Sequence, residues 1–199
     1  DIGVLLNVEQ DHLDRHHSFG SYKKVKEKVL FGCSVGLTVK EILLSIEPTR
    51  KQIFSFEDLT KPFKKEIYNL FKNKWPHHEI LNIQAVLSVV LVFEALKNKK
   101  APSEVLVEQP DLINKCAEAL ITFKRLKHRF EILGVHNGLT YINDSKSTNI
   151  SSLLTAIKSA EISYGINKVV LICGGDSKDQ DFSRINKKDL DSTKKIFIY

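Results

Sequence analysis

An α/β fold is predicted by three features of this 199-residue chain. From Glu131 onward the pattern alternates strand, turn, strand, helix, strand, glycine-rich loop and strand, which is a βαβ pattern and predicts a parallel sheet. The short apolar run Ile2-Gly3-Val4-Leu5-Leu6 reads as a buried strand, and Val169–Cys173 as an apolar strand. Two polar runs, Asp144–Asn149 and Gly174–Phe182, each follow a strand, where open α/β sheets bind ligands.

The elements follow in order. Residues 2–8 read as a strand, and Glu9–His17 as a polar loop dense in His and Asp. Ser21 to Phe31 reads as a helix with an N-cap serine and apolar positions Val25, Val29 and Leu30. Ser34–Ser45 and Gln52–Phe56 could each hold a strand, and the charged stretch Glu57–Lys74 could be partly helical. Ile80–Asn98 reads as a strong buried helix after the break at Pro76-His77-His78. A further helical region begins at Pro102 and ends near Phe123. A strand then leads to the turn pair Asn137-Gly138, and Leu139, Tyr141 and Ile142 read as the next strand. Ser151–Ala160 reads as a helix, and Lys168–Cys173 and Lys195–Tyr199 as the last strands. The composition changes near Leu126-Lys127, so residues 1–126 and 127–199 are expected to be separate domains.

Hydrophobic residues make up 42% of the chain and charged residues 27%, which excludes a disordered tail. The net charge of +6 suits nucleic acid or anionic small molecules. The lysines are scattered as on solvated helix faces, and no aromatic-interleaved RNA motif occurs, so no nucleic-acid partner is expected. Cys33, Cys116 and Cys173 form no CxxC pair, which fits a reducing compartment and no disulfide framework. The longest apolar run, Leu81–Leu96, is interrupted by Asn82, Gln84, Ser88 and Glu94, so a buried helix is expected there and no membrane partner. The chain has no methionine and both ends read as strands, so it is expected to be a fragment.

Three constellations could carry chemistry. Asp11-His12-Leu13-Asp14-Arg15-His16-His17 offers carboxylates and imidazoles to a divalent cation, or it is a structural loop of satisfied polar groups. His78-Glu79-Ile80-Leu81-Asn82 puts Asn82 at the start of an apolar helix, where it meets a base edge or an anion, or caps the helix. Gly174-Gly175-Asp176-Ser177-Lys178-Asp179-Gln180-Asp181-Phe182 combines close backbone approach with a mobile cation at Lys178. It and Asp144–Asn149 are expected at the same edge of one sheet. A polar helix cap explains one or two residues of Asp144-Ser145-Lys146-Ser147-Thr148-Asn149, but not the whole run. No GxxxxGK[ST] phosphate loop occurs.

In this order the motifs resemble the Mur ligase family. Asn7-Val8-Glu9-Gln10-Asp11-His12-Leu13-Asp14-Arg15-His16 resembles its N-x-x-x-DHLDRH segment, and Tyr22–Lys26 its Y-x-x-x-K. His128-Arg129-Phe130-Glu131 with Asn143–Asn149 resembles HRFE…NDSKATN, with Ser147 for the usual Ala. Gly174–Phe182 resembles GGDxKxxDF. The DSK form is that of the D-glutamate-adding branch. The resemblance implies a partial central ATPase-type domain and a partial C-terminal Rossmann-like domain. It also implies ATP-dependent ligation of D-glutamate to UDP-N-acetylmuramoyl-L-alanine through an acyl phosphate, in peptidoglycan synthesis in the bacterial cytoplasm, by a monomer.

Carried over by position, His12 would ligate Mg²⁺, and Lys26 would be carbamylated and become a second metal ligand. Asn82 would contact adenine, while Arg129 and Asp144 would contact the nucleotide's phosphate and ribose. Lys146, Thr148 and Lys178 would bind D-glutamate or steady the acyl transfer. Glu79 stands where the family has Asn in H-N-x-x-N, and Pro76 where it has Gly. The family's GxxGK[ST] would lie upstream of Asp1, so the chain alone is expected to be inactive. A degenerate or split remnant without ligase activity is the alternative.

Overall fold

In a computed structural model of the chain the described residues are 1–10, 13–47, 49, 51–71, 76, 78–176 and 180–199. They fall into two compact units. The first comprises Asp1–Trp75 and Glu79–Phe123, and the second Pro76–His78 and Lys124–Tyr199.

The first unit is built on a three-stranded parallel sheet of order β1-β2-β3, with β1 at Ile2–Leu5, β2 at Val35–Thr38 and β3 at Gln52–Ser55. Alternation along β1 explains its apolar run: Ile2 and Val4 pack with the cluster around Val35 and Leu37, while Leu5 packs with Leu30 and Ile42. At Gly3 an added Cβ would lie 2.2 Å from the Val29 carbonyl oxygen, so only glycine lets the following helix approach this strand so closely.

Within the expected polar loop, Leu13–His16 forms one helical turn, α1. The next helix, α2, runs Phe19–Phe31 and starts two residues earlier than the sequence suggests. The reason is the cap: Ser18 is extended and its Oγ accepts from the Ser21 N–H at 3.1 Å. Of the possible strand at residues 34–45, Val35–Thr38 forms the strand, and Lys40–Ser45 is a short helix, α3. After β3, α4 spans Phe56–Thr60 and α5 Lys64–Phe71, with the Ser55 side chain capping α4.

Helix α6, Glu79–Asn98, is the centre of the unit. Ala85 and Val92 face the sheet residues Val35 and Leu37, Ile83 and Leu87 pack with Ile67, Phe71 and Ile113, and Leu91 and Ala95 meet Val105. Packing on both sides explains why the helix is apolar nearly all round. At 20 residues, with an 18-residue window of mean hydropathy 1.8, it is long and apolar enough to cross a bilayer by length and composition. Ile83, Leu87, Leu91 and Val92 are nevertheless buried within the unit, each stabilising it by roughly 1.5–3 kcal/mol. Gln84, buried mid-helix, donates to Thr60 Oγ1 at 2.9 Å. The last two helices are α7, Pro102–Glu108, and α8, Leu112–Ile121.

The second unit departs from a single parallel sheet. Strands β4, Glu131–His136, and β5, Leu139–Asn143, form an antiparallel hairpin, whereas β6, Val169–Cys173, pairs in parallel with β7, Thr193–Ile198. Helix α9, Ile150–Tyr164, joins the two. The hairpin follows from Asn137 and Gly138, which take φ of 49° and 75°, the left-handed pair required by a two-residue turn. That local turn pairs β5 with β4, and no described ladder joins β5 to β6. The polar runs after β5 and β6 therefore follow strands of two sheets, not one.

Candidate active site

The corner before β4 is held by several backbone and side-chain hydrogen bonds. His128 and Phe130 both have left-handed backbones, with φ of 65° and 46°. Such conformations cost about 1–3 kcal/mol each in non-glycine residues and persist only where neighbours over-determine them. Here they do. Arg125 Nη2 donates to the Arg129 carbonyl at 2.9 Å and Nη1 to the Phe130 carbonyl at 3.1 Å. Glu131 Oε2 accepts from the His128 N–H at 2.8 Å, and the Lys146 N–H donates to the His128 carbonyl. Asp144 Oδ1 accepts from the Phe130 N–H at 2.9 Å. The Phe130 ring is buried edge-on against His78, whose Nδ1 meets Ser159 Oγ at 2.7 Å.

These bonds leave specific groups available. The Arg129 side chain is exposed. Asp144 Oδ2 makes no hydrogen bond to a described residue. Burial pushes the Asp144 carboxyl above its ordinary pKa, partly offset by the Phe130 N–H and by the charges of His78, Arg129 and Arg125. Asn143 Oδ1 accepts from the Ser145 N–H, and its amide nitrogen faces His128 Nδ1 at 2.8 Å.

Much of the run Asp144–Asn149 shapes its own backbone. The Ser147 N–H donates to the Asp144 carbonyl, and Asn149 caps α9 by accepting from the Ser152 N–H at 2.8 Å. Gln180, beyond β6, reaches back to this loop: its Oε1 accepts from the Ile150 N–H and its Nε2 donates to the Thr148 carbonyl. The Lys146 and Thr148 side chains stay exposed, and neither is hydrogen-bonded to another described residue. Ser147 Oγ is buried without a partner.

The structure thus brings Arg129, Asp144 and Lys146 to one corner of the second unit, with Thr148 further along the same loop, where its carbonyl meets Gln180. Asn82 and Lys26 lie in the first unit, Asn82 exposed in the first turn of α6 and Lys26 exposed on α2 with its Nζ 5.2 Å from the centre of the Tyr22 ring. His12 and Lys178 lie outside the described residues. Among the described residues no three His, Cys, Asp or Glu side chains form a metal-binding group. Three structural contributors were not legible as site residues: Arg125, His78 and Gln180. Two of them had a signal: His78 opens the His78–Asn82 constellation, and Gln180 lies inside the glycine-rich motif.

An acid, an arginine and exposed hydroxyl and ammonium groups beside a helix N-terminus form the sort of site that handles acidic, phosphorylated substrates. The chain resembles the Mur ligases, and curated relatives bear this out along its whole length. Over 193 residues it is 33% identical to the UDP-N-acetylmuramoylalanine–D-glutamate ligase of Saccharophagus degradans, covering 94% of the chain and 42% of the relative. The ligase of the same name from Francisella philomiragia is 32% identical over 205 residues, covering all of the chain and 44% of the relative. That of Alcanivorax borkumensis is 30% identical over 198 residues, covering 92% and 41%. The chain therefore spans about two-fifths of the length of these relatives. No family model matches it.

Proposed function

We propose that the chain is part of an ATP-dependent ligase that joins D-glutamate to UDP-N-acetylmuramoyl-L-alanine in bacterial peptidoglycan synthesis. The observation that carries this reading is the bonded corner at residues 125–131. It fixes Asp144 through the Phe130 N–H while leaving Arg129, Lys146 and Thr148 exposed. Those four residues match the ligase motif, and the ligases named above are similar along the whole chain.

In the proposed reaction a carboxylate oxygen of the alanyl group attacks the γ-phosphorus of ATP, and the bond to the ADP oxygen breaks. The nitrogen of D-glutamate then attacks the acyl carbon. Phosphate departs with the electron pair, and the nitrogen loses a proton. Arg129 holds a nucleotide phosphate through its exposed guanidinium. Asp144 Oδ2 accepts from a ribose hydroxyl, and Asn82 meets the adenine edge with its amide. Lys146, Thr148 and Lys178 bind the carboxylates of D-glutamate. Lys26 is open to carbon dioxide, and the resulting carbamate would offer the oxygen donors that a hard cation prefers, with His12 as its partner ligand. Magnesium bound there would offset charge on the phosphoryl oxygens.

A non-catalytic remnant is favoured by Pro76, by the poorly matching residues 31–75 and above all by Glu79 in the first turn of α6, because a carboxylate cannot donate the hydrogen bonds of the family's Asn. One assay separates the readings. The full-length protein that carries these residues is expected to release phosphate only with both acidic substrates present, and to yield a product heavier by one glutamyl residue in mass spectrometry. The polypeptide 1–199, which contains no GxxGK[ST] loop, is expected to release none. A full-length protein that forms no product would overturn the ligase reading.

A further inference from the structure

The corner at residues 125–131 contains one group that the ligase motif does not include. Arg125 precedes the His128-Arg129-Phe130-Glu131 motif, and its half-buried guanidinium bridges two consecutive carbonyls, those of Arg129 and Phe130. These carbonyls flank the Phe130 N–H, which is itself bound to Asp144 Oδ1. A planar guanidinium spans two carbonyl oxygens with two N–H donors in a fixed fork, which a lysine ammonium cannot reproduce. The bridge also spans the part of the chain where φ alternates between left-handed at His128 and Phe130 and ordinary values at Arg129. Without it, nothing else among the described residues holds the Arg129 and Phe130 carbonyls outside the strand ladder. The direction of the Arg129 side chain and the place of the Phe130 N–H then depend on a strained backbone with one clamp fewer.

We propose that Arg125 is a positioning residue. By bridging the Arg129 and Phe130 carbonyls it holds Arg129 and Asp144 in the arrangement that binds the nucleotide, and so sets nucleotide affinity without touching the nucleotide. The proposal rests on the ligase reading above. Arg125 is absent from the matched motif, so its role follows from this chain's own geometry.

The test compares wild type, Arg125→Lys and Arg125→Ala in the full-length protein. Binding of a non-hydrolysable ATP analogue is measured by calorimetry, and hydrogen exchange is followed over residues 128–131. Arg125→Ala is expected to weaken the analogue about tenfold, the loss of one charge-assisted hydrogen bond. It should raise the KM for ATP with little change in kcat at saturating ATP or in the KM for D-glutamate, and speed exchange at the Phe130 amide. Arg125→Lys should fall between, and ethylguanidine should partly restore affinity to Arg125→Ala. A merely structural role would lower the melting temperature and the active fraction while leaving the KM for ATP and the guanidine response unmoved, and that result overturns the proposal. Equal analogue affinity in all three proteins also overturns it while leaving the ligase reading intact. A wild type that binds no analogue overturns both.

Discussion

Gln180 and Ile150, 30 positions apart in sequence, are joined by one hydrogen bond of 2.8 Å from the Ile150 N–H to Gln180 Oε1. The same carboxamide donates to the Thr148 carbonyl at 3.2 Å. One side chain thereby ties the glycine-rich loop to the first residue of α9 and to the motif loop before it. Gln180→Ala should lower stability by about 1–2 kcal/mol, read as the urea midpoint of unfolding. Gln180→Glu should lose less, because a carboxylate still accepts beside a helix N-terminus but cannot donate to Thr148. A midpoint for Gln180→Ala equal to wild type would show that the bridge contributes nothing.

Ser147 predicts a gain. Its buried Oγ has no partner, and an unsatisfied buried hydroxyl costs about 1–3 kcal/mol. Ser147→Ala should therefore raise the unfolding midpoint by on the order of 1 kcal/mol. A lower midpoint would mean that the hydroxyl has a partner in solution.

Asp144 carries a pH dependence of definite sign. Its carboxyl is raised in the folded state, first by burial, so ionisation costs folded stability. The cost is absent below the unfolded carboxyl pKa, near 3.9, and grows as pH rises through the folded value. Asp144→Asn keeps an oxygen for the Phe130 N–H and removes the charge. It should match or exceed wild-type stability at pH 7, with the difference shrinking towards pH 4, while its ATP KM rises. Thermal unfolding at the two pH values checks this. A variant that is less stable at pH 7 and recovers on acidification would refute it.

On the proposed carbamate at Lys26, Lys26→Ala in the full-length protein should abolish turnover, and added formate or acetate should partly restore it by standing in for that group. Normal turnover in the variant would overturn the proposed metal role of Lys26. Phosphate release at saturating substrates is the measurement.

Part of this architecture was legible in the sequence because it depends on local signals. Asn137-Gly138 dictates a hairpin by itself, and the polar interruptions of α6 could be read as those of a buried helix. The cap of α2 was misplaced because Ser18 and Ser21 are both good caps, and only the extended backbone at Ser18 selects it. The separate sheets of the second unit were not legible, since periodicity identifies strands but not their partners. At the candidate site, motif order pointed to Arg129, Asp144, Lys146 and Thr148. It could not reveal that Asp144 serves the backbone at Phe130, nor that Arg125 and Gln180 act through carbonyl and amide groups common to every residue.

The fit at Gly3 gives a residue without functional atoms a hold over Lys26. Strand β1 supports α2 at Val29, with no room for a methyl group between them. Lys26 lies one turn before Val29 on the same helix. Any side chain at position 3 must push that helix outward, and the lysine travels with it. A screen for inactive variants should then return position 3 beside the polar motifs, as a fault in alignment instead of a missing reagent.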